Sequence, residues 1–142
     1  MNLDGVSTAI RARLAGFTAL SSAVQYIGYD KPQDDAPEDI TAFPFCVIED
    51  VTARRWDDKT SEGGNHLVQV TTFCRPTASK SAIQLAKETA QAAYDALHKF
   101  DLVVSGSNVI ICLFEESPGL ITDPDGVTRY QPMTFRVIYD GP

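Results

Sequence analysis

The strongest constraint on the fold is a pair of strand-like stretches separated by a long polar segment. Phe43 to Val51 is a short apolar run with β-branched residues. From Asn65 to Arg75, the side chains alternate between the two faces expected of a strand. The segment between them, TARRWDDKTSEGG, is polar apart from Trp56. This order predicts a β-hairpin with a long tip at about residues 53–64. Loops of about a dozen residues in a compact domain are usually functional or disordered, so we expect a mobile working loop.

Two amphipathic helices are predicted, over about residues 3–20 and 78–99. In each, apolar side chains recur at helical spacing. The first stripe consists of Val6, Ile10, Leu14 and Phe17, and the second of Ile83, Ala86, Ala90, Tyr94 and Leu97. Thr77 or Ser79 is the expected cap of the second helix. Its stripe is rich in alanine, which allows a close approach to a sheet.

Three further strands complete the pattern. Tyr26 to Asp30 is a short one, and Asn108 to Glu115 is almost entirely apolar, which predicts a central position. Val127 to Tyr139 follows a type I turn signal at residues 123–126, and Pro132 inside it predicts an edge position or a bulge.

The order of elements predicts an α+β fold. Strands joined mostly by turns, with single helices between them, favour an antiparallel or mixed β-sheet with two helices packed on one face. The 142 residues suit a single domain, over residues 1–142. A second mobile loop is expected at about residues 30–42, where acidic residues and prolines leave little to bury.

The charge and the hydropathy of the chain argue against nucleic acid and membranes as binding partners. Nineteen acidic against twelve basic side chains give a formal charge of −7, which disfavours binding nucleic acid through a broad basic face. No apolar run approaches the ~20 residues that span a bilayer, so no membrane association is expected. The first residues, MNLDGVSTAI, lack the pattern of a signal peptide, and we expect the chain to remain in the cytoplasm in which it is made.

The sequence carries no enzyme signature. A glycine-rich phosphate loop, a nucleophile elbow and a zinc-protease motif are all missing, so no catalytic residue and no cofactor are predicted. The three cysteines, Cys46, Cys74 and Cys112, lie in apolar stretches and are expected to be buried thiols. His66 and His98 lack ligand spacing, so no metal site is predicted. His66, at the start of a strand, is expected to be a polar edge residue.

Trp56 stands beside Arg54 and Arg55 in the polar segment. Either the tip folds back onto its own domain, or the tryptophan anchors an interface, since Trp and Arg dominate binding hot spots. We favour the interface, mainly because of the family resemblance described next. The residues predicted to form it are Arg54, Arg55, Trp56, Asp57, Asp58 and Lys59.

The arrangement resembles the tail-completion or tail-terminator family of long-tailed bacteriophages, prophages and gene-transfer particles. The resemblance covers about residues 3–139 and rests on order and spacing: the helix, the strand FPFCVI, the loop ending in GGNH, the strand VQV, the alanine-rich helix, and the closing DG turn with RY and FRV.

The resemblance implies a structural virion protein that acts at the tail–neck junction and is assembled in the host cytoplasm. It implies a homohexameric ring on the tail tube that stops tube polymerisation, with the major tail tube protein and a head-completion or neck protein as partners. DNA would pass through an electronegative lumen without specific binding. A head-completion or neck adaptor, or a small ligand-binding module or enzyme, are the alternatives.

Overall fold

The computed structural model describes residues 3–30, 43–56, 63–104 and 108–140. These residues form three helices: α1 (Gly5–Gly16), α2 (Thr18–Ser21) and α3 (Ala82–Leu97). The strands are β1 (Tyr26–Gly28), β2 (Phe45–Arg55), β3 (Gly64–Cys74), β4 (Asn108–Glu116), β5 (Ile121–Thr122) and β6 (Arg129–Asp140). The predicted loop at 30–42 lies almost entirely outside the described residues.

The strands form one mixed sheet in the order β1-β2-β3-β6-β4, with β5 pairing with β6. β1 runs parallel to β2, and the other pairs are antiparallel. The side chains that alternate on one sheet face form a common core with α1 and α3. The predicted α+β class, with a mixed sheet and helices on one face, is therefore confirmed. The opposite sheet face carries no helix in the described part of the chain.

The first helix is shorter than predicted because the chain breaks at Phe17. There the backbone is extended (φ −91°, ψ 103°), so α1 ends at Gly16 and a separate turn of helix, α2, follows. Glycine lowers helix propensity, which favours a helix end at this point. The guanidinium of Arg13 lies 4.9 Å from the Phe17 ring centroid and 3.6 Å from that of Phe100, which fixes the corner.

The start of α3 differs from the prediction. Ser81 is the cap, because its hydroxyl accepts a hydrogen bond from the Gln84 N–H at 3.2 Å. Thr77 instead closes the preceding turn by accepting the Lys80 N–H at 3.1 Å. Ile83 was expected on the sheet but is 42% exposed, since the buried stripe runs through small residues one position away. That stripe consists of Ala82, Ala86, Thr89, Ala90, Ala93, Ala96 and Leu97.

The central position predicted for β4 and the edge position considered for β6 are both wrong. β4 is at the edge of the sheet and β6 is an interior strand, paired with β3 on one side and with β4 and β5 on the other. β4 is apolar because α3 and its Tyr94 cover one of its faces, through Cys112 and Phe114. Pro132 is tolerated because it lies between the part of β6 that pairs with β4 and the part that pairs with β5.

The three cysteines are buried thiols, as predicted. Burial raises the pKa of Cys46 and of Cys112 to about 12, because the apolar surroundings disfavour the thiolate. At neutral pH these thiols are protonated and behave as small apolar side chains.

Asp125 organises the predicted turn before β6. Its carboxylate accepts hydrogen bonds from the Thr128 hydroxyl (2.6 Å) and from the N–H groups of Thr128 (2.7 Å) and Val127 (2.8 Å). Arg75, just past the end of β3, adds a weaker contact at 3.4 Å. The hydrogen bonds to Thr128 are the main cause of a lowered pKa, from 3.8 to about 2.

We expect Asp125→Ala to lower the melting temperature at pH 7 by more than it does at pH 2. A carboxyl whose pKa is depressed by folding stabilises the fold above its unfolded pKa and loses that contribution as pH falls through its folded pKa. The difference between the two proteins should therefore shrink between about pH 4 and pH 2. Thermal melts of both at several pH values measure this, with the exposed Asp101→Ala as control. A difference independent of pH would contradict the assignment.

Candidate assembly interface

The predicted tip is shorter than expected because the hairpin strands continue into it. β2 and β3 stay paired as far as Arg54 with Asn65 and Arg55 with Gly64, and the Trp56 N–H donates to the Gly63 carbonyl at 3.2 Å. Arg54 and Arg55 are therefore strand residues and not loop residues, which corrects the predicted boundary. Their polar surroundings concealed the strand, since backbone pairing alone holds this end of the hairpin.

The burial of side chains changes along β2. Phe45 to Ile48 are buried, whereas every residue from Glu49 to Arg55 is exposed. β1 pairs with β2 only at Phe45–Val47. Beyond that point, β2 has a strand neighbour on one side only among the described residues. A register shift between Asp50 and Thr52 lies near the start of this exposed half.

Three of the six predicted interface residues belong to the described part of the hairpin. Arg54 and Arg55 are exposed, and Trp56 is 47% exposed, although it is a large apolar side chain. The other three, Asp57, Asp58 and Lys59, lie outside the described residues. The structure therefore brings Arg54, Arg55 and Trp56 together at the distal end of one strand pair.

A glycine pair allows the hairpin to pack closely on β6. A Cβ atom on Gly64 would lie 2.7 Å from the ring of Tyr139, and one on Gly63 would overlap the Tyr139 and Trp56 carbonyls. Only glycine fits such a close approach. Tyr139 is itself buried, so this distal end of the hairpin is fixed to the core.

His66 lies near the same end of the hairpin and is not the polar edge residue that the sequence suggested. Its side chain is fully buried, with Nδ1 3.4 Å from an Asp50 carboxylate oxygen and its ring 5.5 Å from that of Tyr139. Nε2 has no hydrogen-bond partner in the structure as described. The prediction failed because β3 lies inside the sheet and its helix-side face stays covered down to His66.

The helix-free face of the sheet carries a charged cluster. Arg136 on β6 contacts both carboxylate oxygens of Glu115 on β4, and its Nη1 donates to the Asn65 side-chain carbonyl on β3 at 2.6 Å. Glu116, the next residue, is exposed and forms no ion pair with the described residues. Sequence analysis missed this cluster, because it depends on the order of strands in the sheet.

The described residues also bear on the alternative of a ligand-binding or catalytic site. They contain no group of His, Cys, Asp and Glu that could hold a metal ion. A groove of about 340 Å³ between α3 and the sheet is lined by Lys87, Gln91, Tyr94, Phe114 and Gln131, together with smaller side chains, but by no carboxylate or histidine. No helix of the described chain is long and apolar enough to cross a bilayer.

Comparisons with known proteins place this geometry in context. A family model described as "Tail completion protein gp17" matches residues 8–140. A chain of the virion of a native gene transfer agent particle is similar in structure, with a TM-score of 0.77, 19% identity, and coverage of 96% of this chain and 95% of that one. The gp17 protein of bacteriophage SPP1 matches with a TM-score of 0.58, 21% identity, and coverage of 96% and 91%. No curated protein sequence matches.

Proposed function

Because this chain belongs to the gp17 family of tail completion proteins, a family of structural proteins of the virion tail, we propose that it closes the tail tube. In this proposal it forms a homohexameric ring on the last layer of the tube, stops tube polymerisation and provides the surface to which the head–neck proteins bind. Its partners are further copies of itself, the major tail tube protein and a head-completion or neck protein.

The observation that carries the proposal is the exposed distal half of β2, from Glu49 to Arg55. A strand that is exposed on both faces and lacks a neighbour along one edge is costly in a monomer, because such an edge invites uncontrolled pairing. Here it ends in two arginines and a half-exposed tryptophan, residue types that contribute strongly to interfaces. A surface of this kind at one side of the sheet suits a head-to-tail contact, which generates a closed ring when the rotation between copies closes.

The charge of the chain fits the passage of DNA better than its binding. A formal charge of −7 on each copy gives a ring a strongly negative sum, which disfavours adhesion of the phosphate backbone to the lumen. The same charge makes the copies repel one another, so the contacts between them need basic residues.

Removal of the gene tests the proposed function. Without a terminator, tubes should continue to polymerise, and electron micrographs should show tails of variable, excessive length without heads. A copy supplied in trans should restore normal length. A head-completion or neck adaptor gives a different result: tails of normal length that fail to join heads. That result would contradict tube termination and favour the adaptor.

A further inference from the structure

Two edges at opposite sides of the sheet have a strand neighbour on one side only among the described residues. One is the distal half of β2, from Ile48 to Arg55, and the other is β4. The middle of the β4 edge is covered by the chain after α3, because the Lys99 N–H donates to the Cys112 carbonyl at 2.7 Å and the Phe114 N–H donates to His98 Nδ1 at 3.1 Å, which leaves the ends of the strand. In a ring of identical copies, one side of each subunit contacts the opposite side of the next subunit. Which parts of these two edges can meet is decided by the charges along them.

The register of the sheet defines two rows of residues on the helix-free face. The first row runs Glu49, Gln69, Thr134 and Glu116 across β2, β3, β6 and β4. The second runs Arg54, Asn65, Ile138 and Ile111 across the same strands.

If two neighbouring copies were aligned without any shift along their strands, the first row of one copy would continue into the first row of the next. Glu116 of one copy would then lie beside Glu49 of the next. Like charges directly opposite each other in a sheet are destabilising. A stagger that moves the next copy along its strands by four residues, the separation of Gln69 and Asn65, replaces this repulsion with an attraction. Arg54 then faces Glu116. Both side chains are exposed, and neither has an ion-pair partner among the described residues.

We propose that the distal end of β2 in one copy docks against the carboxyl end of β4 in the next, with Arg54 beside Glu116. This inference rests on the proposed ring. Arg55, the next residue of β2, has its side chain on the helix side of the sheet, because neighbouring strand residues point to opposite faces. Glu115 remains paired with Arg136 of its own chain, so Glu116 is the carboxylate that meets Arg54.

The size of the stagger agrees with the geometry of closed sheets. Four strands at a spacing of about 4.8 Å make each copy about 19 Å wide, and four residues correspond to about 13 Å along a strand. Strands shifted in this ratio tilt by about 35° from the ring axis, which is the tilt that closed barrels adopt. A contact chosen for its charges alone thus also satisfies the requirement for closure.

Cysteine cross-linking within assembled particles tests the contact. The variant Arg54→Cys with Glu116→Cys should form disulfides between copies on mild oxidation, giving a ladder of bands up to six chains on a denaturing gel. Within one copy the two positions lie on strands separated by two others, roughly 20 Å apart, which is too far for a disulfide. The three native thiols are buried and do not compete.

A matched control replaces Glu116 with an exposed residue on the other side of the sheet. Arg54→Cys with Glu88→Cys adds the same number of cysteines, but Glu88 lies on α3, so no ladder is expected. Six-fold rings in micrographs without a ladder from the first pair would overturn this contact and leave the proposed function intact. Particles without any ring would overturn both. Cross-linked dimers alone would indicate a two-fold contact and also overturn it.

Exchange of the two charges gives an independent test in the same particles. Arg54→Glu and Glu116→Arg should each reduce the yield of completed particles, and the double variant should recover most of that loss. Such recovery is the signature of residues in direct contact. A double variant as defective as the sum of the two single changes would contradict the pairing.

Discussion

Replacement of both hairpin arginines by glutamate, Arg54→Glu with Arg55→Glu, is expected to abolish ring formation and give overlong tails without heads. Each copy carries a formal charge of −7, so basic residues at the contacts offset the repulsion between copies. The double reversal removes that offset, and Arg54→Glu also adds repulsion against Glu116 of the next copy. The fold should survive, because both side chains are exposed and β2 is held there by backbone pairing.

Complementation of a strain without the gene measures this effect, with tail lengths counted by electron microscopy and folding checked by circular dichroism. Arg11→Glu with Lys87→Glu is the control, since it changes the net charge equally at two exposed positions on α1 and α3. The control should assemble. Trp56→Ala should weaken assembly more than it lowers stability, because the indole is half exposed in the single copy. Normal tail length and yield from both the arginine and the tryptophan variants would show that the hairpin tip is not an interface.

Leu97→Ala is expected to cost roughly 2–5 kcal/mol of the free energy of unfolding. The side chain is fully buried in the core at the end of α3, and its truncation leaves a cavity between the helix and the sheet. For a chain of this length the loss corresponds to a fall of very roughly 6–15 °C in melting temperature. Differential scanning calorimetry measures both quantities.

The matched control for Leu97 lies on the same helix. Ile83→Ala removes a comparable side chain that is 42% exposed, and it should change stability by well under half of the Leu97 effect. Equal losses at the two positions, or no loss at Leu97, would show that the buried face of α3 is assigned wrongly.

The sequence was sufficient for features that depend on local periodicity. The alternation of Asn65 to Arg75 and the spacing of Ala86, Ala90 and Leu97 predicted β3 and α3, because each pattern must bury one face. The pairing of β2 with β3 followed from their proximity in the chain. The turn at Asp125 followed from the requirements of turn geometry.

Features set by tertiary neighbours could not be predicted in this way. β4 and β6 were assigned to the wrong positions in the sheet because an apolar strand covered by a helix has the same composition at an edge as in the centre. His66 looked like an edge residue, although its side chain is buried between Asp50 of β2 and Tyr139 of β6. Arg54 and Arg55 were assigned to a loop because a strand exposed on both faces shows no alternation.

One side of the candidate interface could be predicted from local sequence, whereas the other side depends on tertiary structure. Residue type and the family resemblance pointed to Arg54, Arg55 and Trp56, which are exposed in the structure, and their role in an interface stays a prediction. The opposing carboxylate on β4, Glu116, could not be recognised from the sequence. Its relation to Arg54 appears only when the register of four strands is known.

The most direct measurement of the central claim is a reconstruction of the tail–neck junction from purified particles, in which this chain is located by its fold. The account predicts six copies in a single ring on the last layer of the tail tube, with the hairpin of each copy against the next. An absence of the chain from this junction, or its presence as isolated copies that do not touch one another, would contradict the account.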